Sequence, residues 1–247
     1  MTIPWFYIYS PKYEIFHHIL SSSLHGYSGF AVEPIFYPQS AFERQVKPGE
    51  HFFAGNALKF KMILKKMDEL PENSQFILSD ADVYVTKPSQ LYELCRLKYS
   101  EKDIVGMQDQ MDSTETNIGF LLCRNNGVVR SFFEYLVYSI ETTGGQDQAI
   151  FNNSVHLMVT NNGMFSLTDA IQSNMSSLKD SNYSIVQFLC SNGTYERNVF
   201  EKLLSALFYT DFSTVLHLVP YEVQEALVLF CQDHLPSHPI AHYLLKQ

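Results

Sequence analysis

An apolar run over residues 76–79 ends in Asp80-Ala81-Asp82, and a second apolar run, Val83-Tyr84-Val85, follows at once. In open α/β sheets ligands gather where strands end, so two carboxylates at such an end are candidates for chemistry. A tight turn through the small Ala81 can bring both towards one point. There a hard divalent cation would neutralise the like charges and would itself bridge phosphate oxygens. The plain alternative is a polar turn at a strand end, where aspartate is common. The flanking strand pattern and the turn Lys87-Pro88 favour the functional reading.

The elements that must position this pair follow from periodicity. Strands are expected over residues 3–9, 30–37, 76–79, 103–107, 118–123 and 184–189, from short apolar runs bounded by Gly, Pro or polar turns. Helices are expected over 13–24, 55–70 (stopped by Pro71), 90–99, 128–141, 147–152, 198–209 and 221–232. Beyond Asn153 the pattern loosens. Strands alternating with helices predict an α/β fold with a mixed, mostly parallel sheet flanked by helices. The expected division is a nucleotide-binding catalytic domain over 1–195 and a helical C-terminal extension over 196–247 packed on it.

Composition narrows the function. The chain has 247 residues, 46% of them hydrophobic, enough for a sizeable core. Its formal charge of -9 argues against a broad nucleic-acid surface, which needs clustered Lys and Arg. Cys95, Cys123, Cys190 and Cys231 are far apart and fit reduced thiols better than a zinc site or a disulfide framework. The N-terminus lacks the basic and apolar regions of a signal peptide, and no run approaches the roughly 18 apolar residues of a membrane span. A cytoplasmic protein is the expectation.

Three segments carry a family resemblance. FILSDADVYVTKP resembles the D-x-D segment of GT-A glycosyltransferases, the nucleotide-diphospho-sugar transferases. NIGFLLCR, from Asn117 to Arg124, resembles the N-x-G-F strand that follows it in those enzymes. GGQDQAIFN, from Gly144 to Asn152, is similar to their D-Q-x-x-[FL]-N segment, and the three occur in the family's order. The resemblance implies a GT-A, Rossmann-like fold. It implies Mn²⁺- or Mg²⁺-dependent transfer of a sugar from a nucleotide-diphosphate donor, a UDP-sugar first, to a hydroxyl of a glycan or other acceptor.

The resemblance also assigns roles. Asp80 would contact the ribose or the metal, with Ala81 beside it, and Asp82 would ligate the metal that holds the diphosphate. Asn117 and Gly119 would meet the donor, although a loop-to-strand junction favours the same residues. Asp147 and Gln148 would face donor sugar and acceptor; taken alone, Asp147 reads better as a helix cap. Tyr7, Tyr9 and Ser10 would lie near the base and ribose, with core packing the better reading for Tyr7. Lys59 is the cation chosen to meet the diphosphate, against the plain reading of a solvated lysine-rich helix face.

One position departs from the pattern. Many relatives place a metal-binding histidine in a late strand, and Gln187 stands there in this chain. A glutamine oxygen ligates such ions more weakly than imidazole ligates Mn²⁺. The third ligand is therefore open between Gln187, water and His156, His217, His234, His238 or His242. Two other readings compete. A haloacid-dehalogenase-type phosphotransferase also ends a strand in D-x-D, but wants Thr or Val where Tyr84 stands. A non-catalytic nucleotide-sugar binder is the other.

Overall fold

In the computed structural model, which describes residues 2–38, 51–109, 114–166, 170–173, 183–190 and 194–245, the chain opens with β1 (Ile3–Tyr9), α1 (Glu14–Ser23) and β2 (Phe30–Phe36). Next come α2 (His51–Glu69), β3 (Gln75–Ser79), β4 (Val83–Val85) and α3 (Pro88–Glu93), which continues as a π turn (Leu94–Lys98). The middle holds β5 (Ile104–Gln108), β6 (Thr116–Arg124), α4 (Gly127–Thr143) and α5 (Asp147–Met158). The strands β7 (Asn162–Phe165), β8 (Ala170–Ser173) and β9 (Ile185–Phe188) precede the helices α6 (Tyr195–Ala206) and α7 (Tyr221–His234).

Six strands form one sheet in the order β2-β1-β3-β6-β5-β7, and β4-β9-β8 form a second. In the large sheet β1 runs parallel to β2 and β3, and β5 parallel to β7, while β6 is antiparallel to both its neighbours. The sheet is thus mixed and mostly parallel, as the alternating pattern predicts.

Period-two alternation sends side chains to two separate cores. Trp5, Tyr7, Ile77, Phe120 and Leu122 face a core completed by Phe16 and Ile19 of α1, Val199 and Leu203 of α6, and Leu227 of α7. Phe6, Phe76, Leu78, Leu121 and Cys123 face the other, against Phe60 of α2, Phe132 and Phe133 of α4, and Phe151 of α5. Each such side chain, fully buried, contributes roughly 1.5–3 kcal/mol. The C-terminal helices therefore close one face of the sheet.

Several boundaries differ from expectation for physical reasons. α5 runs to Met158 rather than stopping near 152. Ser154 and Val155 are buried there, and Asn152 is fixed by two bonds to Thr116, accepting from its backbone N–H at 2.8 Å and donating to its carbonyl at 3.0 Å. Packing overrides the low helix propensity of the Asn-Asn-Ser stretch. α6 starts at Tyr195, not 198, because the Thr194 hydroxyl accepts from the Arg197 N–H and caps it. The short strands β7 and β8 were not expected. α2 begins at His51. Among the described residues no helix is long and apolar enough to cross a membrane.

Candidate active site

Parallel pairing places the C-terminal ends of β1 and β3 on one edge, with Tyr7 in register with Ser79. Because β6 is antiparallel to β3, its beginning lies on the same edge, and the Asp80 N–H donates to the Gly119 carbonyl at 2.8 Å. β9 joins through β4. Val83 is in register with Gln187, and the Phe188 N–H donates to the Asp82 carbonyl at 2.9 Å. The ends of β3, β6 and β9 thus meet at the Asp80-Ala81-Asp82 turn, with the end of β1 beside β3.

Two lysines meet the two aspartates. Lys59 of α2, 4% exposed, donates to Asp80 Oδ1 at 2.8 Å and to the Ile118 carbonyl at 3.0 Å. Lys202 of α6 forms a buried ion pair with Asp82 Oδ2, its Nζ also lying 5.3 Å from the ring centre of Tyr13 and 5.9 Å from that of Phe16. Burial opposes both ammonium charges. For Lys59 the neighbours Asp80 and Asp147 more than offset it, and for Lys202 Asp82 does, so both titrate above the ordinary lysine range. Asp80 is the open member of the pair, its side chain 39% exposed against 6% for Asp82.

Gln187 completes the cluster. Its Nε2 donates to Asp80 Oδ2 at 3.3 Å, and it lies directly over Gly119, where a Cβ would come within 2.0 Å of that nitrogen. Glycine at 119 is what gives the amide room. Asp82 Oδ1 and Gln187 Oε1 are buried without a hydrogen-bond partner.

The other expected residues separate. Asp147 opens α5 as its first helical residue, with Gln146 at the cap position, and its Oδ1 accepts from the Gln148 N–H at 2.9 Å. Burial raises its pKa, Lys59 pulls it back, and Asp80 raises it further, leaving it above the usual aspartate value. Asp147 therefore shares the electrostatic field of Lys59 and Asp80. Gln148 Nε2 donates to Asp109 Oδ1 at 3.2 Å. Asn117 is turned onto its own strand, its Oδ1 accepting from the Gly119 N–H at 2.7 Å.

At the end of β1, Tyr7 is fully buried and its hydroxyl meets His17 Nδ1 at 2.7 Å, which makes it core, the better of its two readings. Tyr9 is partly exposed and stacks on His17, ring centres 4.4 Å apart. Ser10 is buried, and its carbonyl accepts from the Tyr13 N–H at 2.8 Å. Ala81 is buried beneath the turn.

Sequence reasoning missed Lys202 and its neighbour Tyr13. A signal for Lys202 existed: it shares a helix face with Val199, Leu203 and Ala206, all buried, and a lysine on an apolar stripe calls for a partner.

Whether these residues fit a divalent ion can be judged from their contacts. One oxygen of each carboxylate already carries an ammonium, and the second oxygen of Asp80 carries the Gln187 amide. The two ammoniums offset the two carboxylates of the Asp80–Asp82 pair, which weakens its attraction for a cation. The protein oxygens left free there are Asp82 Oδ1 and the weakly ligating amide Gln187 Oε1, both buried, so the pair offers Mg²⁺ or Mn²⁺ no uncompensated carboxylate. Among the described residues no group of three His, Cys, Asp or Glu side chains could hold a metal. His156, His217, His234 and His242 are exposed, and His238 Nδ1 accepts from the Ile240 N–H at 3.3 Å. The arrangement does not fit a divalent ion.

A family model described as nucleotide-diphospho-sugar transferase matches residues 57–234. The chain belongs to this family. The transferase is accordingly a glycosyltransferase, which sets aside the dehalogenase-type reading. Its fold is similar to that of the galactosyltransferase LgtC, solved in complex with donor and acceptor sugar analogs. The TM-score is 0.56 at 12% identity, covering 90% of this chain and 99% of that one. It is equally similar, with a TM-score of 0.56 and 12% identity, to a glycosyltransferase involved in glycosylation of the major capsid of PBCV-1, covering 83% of this chain and 98% of that one. The glycosyltransferase GlyE of Streptococcus pneumoniae TIGR4 gives a TM-score of 0.57 at 14% identity, over 88% of this chain and 62% of that one. Identities this low speak for the fold alone. Among curated proteins no sequence matches this chain significantly.

Proposed function

We propose that the transferase moves a sugar from a nucleoside-diphosphate sugar, a UDP-sugar first, to a hydroxyl of a glycan acceptor at the strand-end site around Asp80. The observation that supports this is the convergence of two buried lysines and two aspartates on a strand-end edge, with the charge of Asp147 acting on Lys59. A nucleoside diphosphate leaves as an anion, and fixed positive charge at that point stabilises the developing charge without reorganisation. Asp80, the open carboxylate, is suited to accept from ribose or sugar hydroxyls, with Lys59 fixing its orientation. Asp147 is suited to the sugar itself, and Gln148, anchored on Asp109, to the acceptor side. Four free thiols, three of them buried, support a reducing, cytoplasmic setting.

The test is a melting-temperature panel of nucleotide sugars followed by hydrolysis and transfer assays. A bound donor at one hundred times its Kd adds about 2.7 kcal/mol, which is roughly 5–10 °C for a chain of this size. If no nucleotide sugar raises the melting temperature or is cleaved, the reading fails.

A second outcome is expected at Gly119. In Gly119→Ala the new methyl displaces the end of a flexible side chain, Gln187, rather than backbone. The melting temperature should fall by no more than about 2 °C, whereas loss of the Gln187–Asp80 bond frees Asp80 and lowers kcat/KM by on the order of tenfold. A large stability loss with unchanged turnover would show that Gly119 serves packing only.

A further inference from the structure

We propose that the Lys202 ammonium is the resident counter-charge of the site, standing at Asp82 in place of a divalent ion, so that the transferase holds its donor diphosphate without a metal. This rests on the sugar-nucleotide reading above and adds to it which group supplies the positive charge.

Lys202 is built into the fold. It projects from the buried face of α6, between Val199 and Leu203, and only 11% of its side chain is exposed. Burying a lysine is costly unless a charge partner and good geometry offset it. Asp82 is that partner, and the Tyr13 and Phe16 rings flank the ammonium. A metal entering at Asp82 Oδ2 would strand the ammonium among those rings. Lys59 on Asp80 neutralises the second carboxylate, and Gln187 offers Asp80 an amide N–H where a metal ligand would have to present a lone pair. Gln187 and Lys202 thus bias the same site in the same direction: weaker attraction for a cation, and a cation already present.

The Lys202 ammonium has three N–H donors and gives one to Asp82, so it can also donate to a diphosphate oxygen. Two ammoniums held by carboxylates form a preorganised dipolar cradle in a partly buried setting. Because Lys202 comes from the C-terminal helices, those helices become part of the donor site as well as a cover for the sheet.

The experiment uses the full chain with Mn²⁺ alone, and then with UDP. Electron paramagnetic resonance of Mn²⁺ with the wild-type protein should show only the free ion. UDP should bind with affinities within about twofold of each other in EDTA and in Mn²⁺, since an ion that does not couple to the site shifts nothing. Lys202→Met frees Asp82, and the variant should take up Mn²⁺ and bind UDP at least about tenfold more tightly with the ion than in EDTA. Stoichiometric Mn²⁺ uptake by the wild type, or loss of its UDP binding in EDTA, would overturn the proposal whether or not the variant folds. The Mn²⁺ titration needs no nucleotide. If no nucleoside diphosphate binds in either buffer, the sugar-nucleotide reading fails, while Mn²⁺ uptake still reports on Lys202 by itself.

Discussion

Lys202→Met is expected to lower the stability of the transferase by about 3–5 kcal/mol, the usual cost of leaving one member of a buried ion pair without its partner. For a chain of this length that is a fall in melting temperature on the order of 10 °C. Methionine keeps most of the contact with Tyr13 and Phe16, so the loss reports the charge rather than the packing. Asp82, almost wholly buried, is left without its cation. Combining Lys202→Met with Asp82→Asn removes both charges and should recover most of the loss, a coupling of roughly 2–3 kcal/mol in a double-mutant cycle. The pH dependence has a definite sign. A lysine whose folded pKa is raised stabilises fully below its unfolded value, near 10.4, and the contribution is lost as pH rises through the folded value. Stability from this pair should therefore be flat from pH 6 to 9 and fall only in strong alkali. Equal melting of the single variant and the wild type would show that the pair is not a buried ionic contact.

The Lys202–Asp82 contact also marks where sequence reasoning stops. The strands around the site were legible because each is a short, continuous apolar run ended by a turn: β1, β3, β6 and β9 appear within a residue or two of their expected bounds. Asp80, Asp82 and Lys59 were legible as chemistry because acidic residues at a strand end and a lysine near them break the pattern locally. Lys59 was chosen from four lysines in its helix, and it is the one that reaches Asp80. Lys202 carries a local signal too, a lysine on an apolar stripe, but that signal does not name its partner. Its partner lies 120 positions earlier, and the pairing depends on how α6 crosses the sheet, which no local pattern encodes. Gly119 was half legible. A glycine at a strand start suggests close approach, but the group that uses the space is Gln187, from a strand that meets β4 in the second sheet. Asn117, expected to meet the donor, is buried, and its Oδ1 accepts from the Gly119 N–H of its own strand. Positions that break a local pattern could be read as candidates; the partners set by a distant crossing could not.

Asp147→Asn should separate stability from turnover. The carboxylate is held above its ordinary pKa chiefly by burial, with Asp80 adding to the rise and Lys59 opposing it. A raised folded pKa means that the folded state binds the proton more tightly than the unfolded one does. The group's contribution to stability is then best at low pH and is lost as pH rises from the unfolded value, near 3.9, through the folded one. Above the folded value the ionised Asp147 is a net cost to the fold. Replacing it with the isosteric amide removes that cost, and the Gln148 N–H can still donate to the side-chain oxygen. The melting temperature should hold or rise by a few degrees. Turnover should fall by roughly 10²–10³, because a neutral amide neither stabilises positive charge at the sugar carbon nor accepts a proton. In the wild type, activity should rise with pH across a window displaced upward from that of a free aspartate, and the variant should lack that limb. A variant less stable than wild type but fully active would make Asp147 a helix-end residue and remove it from the chemistry. Retained stability with lost turnover would identify the strain at this carboxylate as the cost of its function.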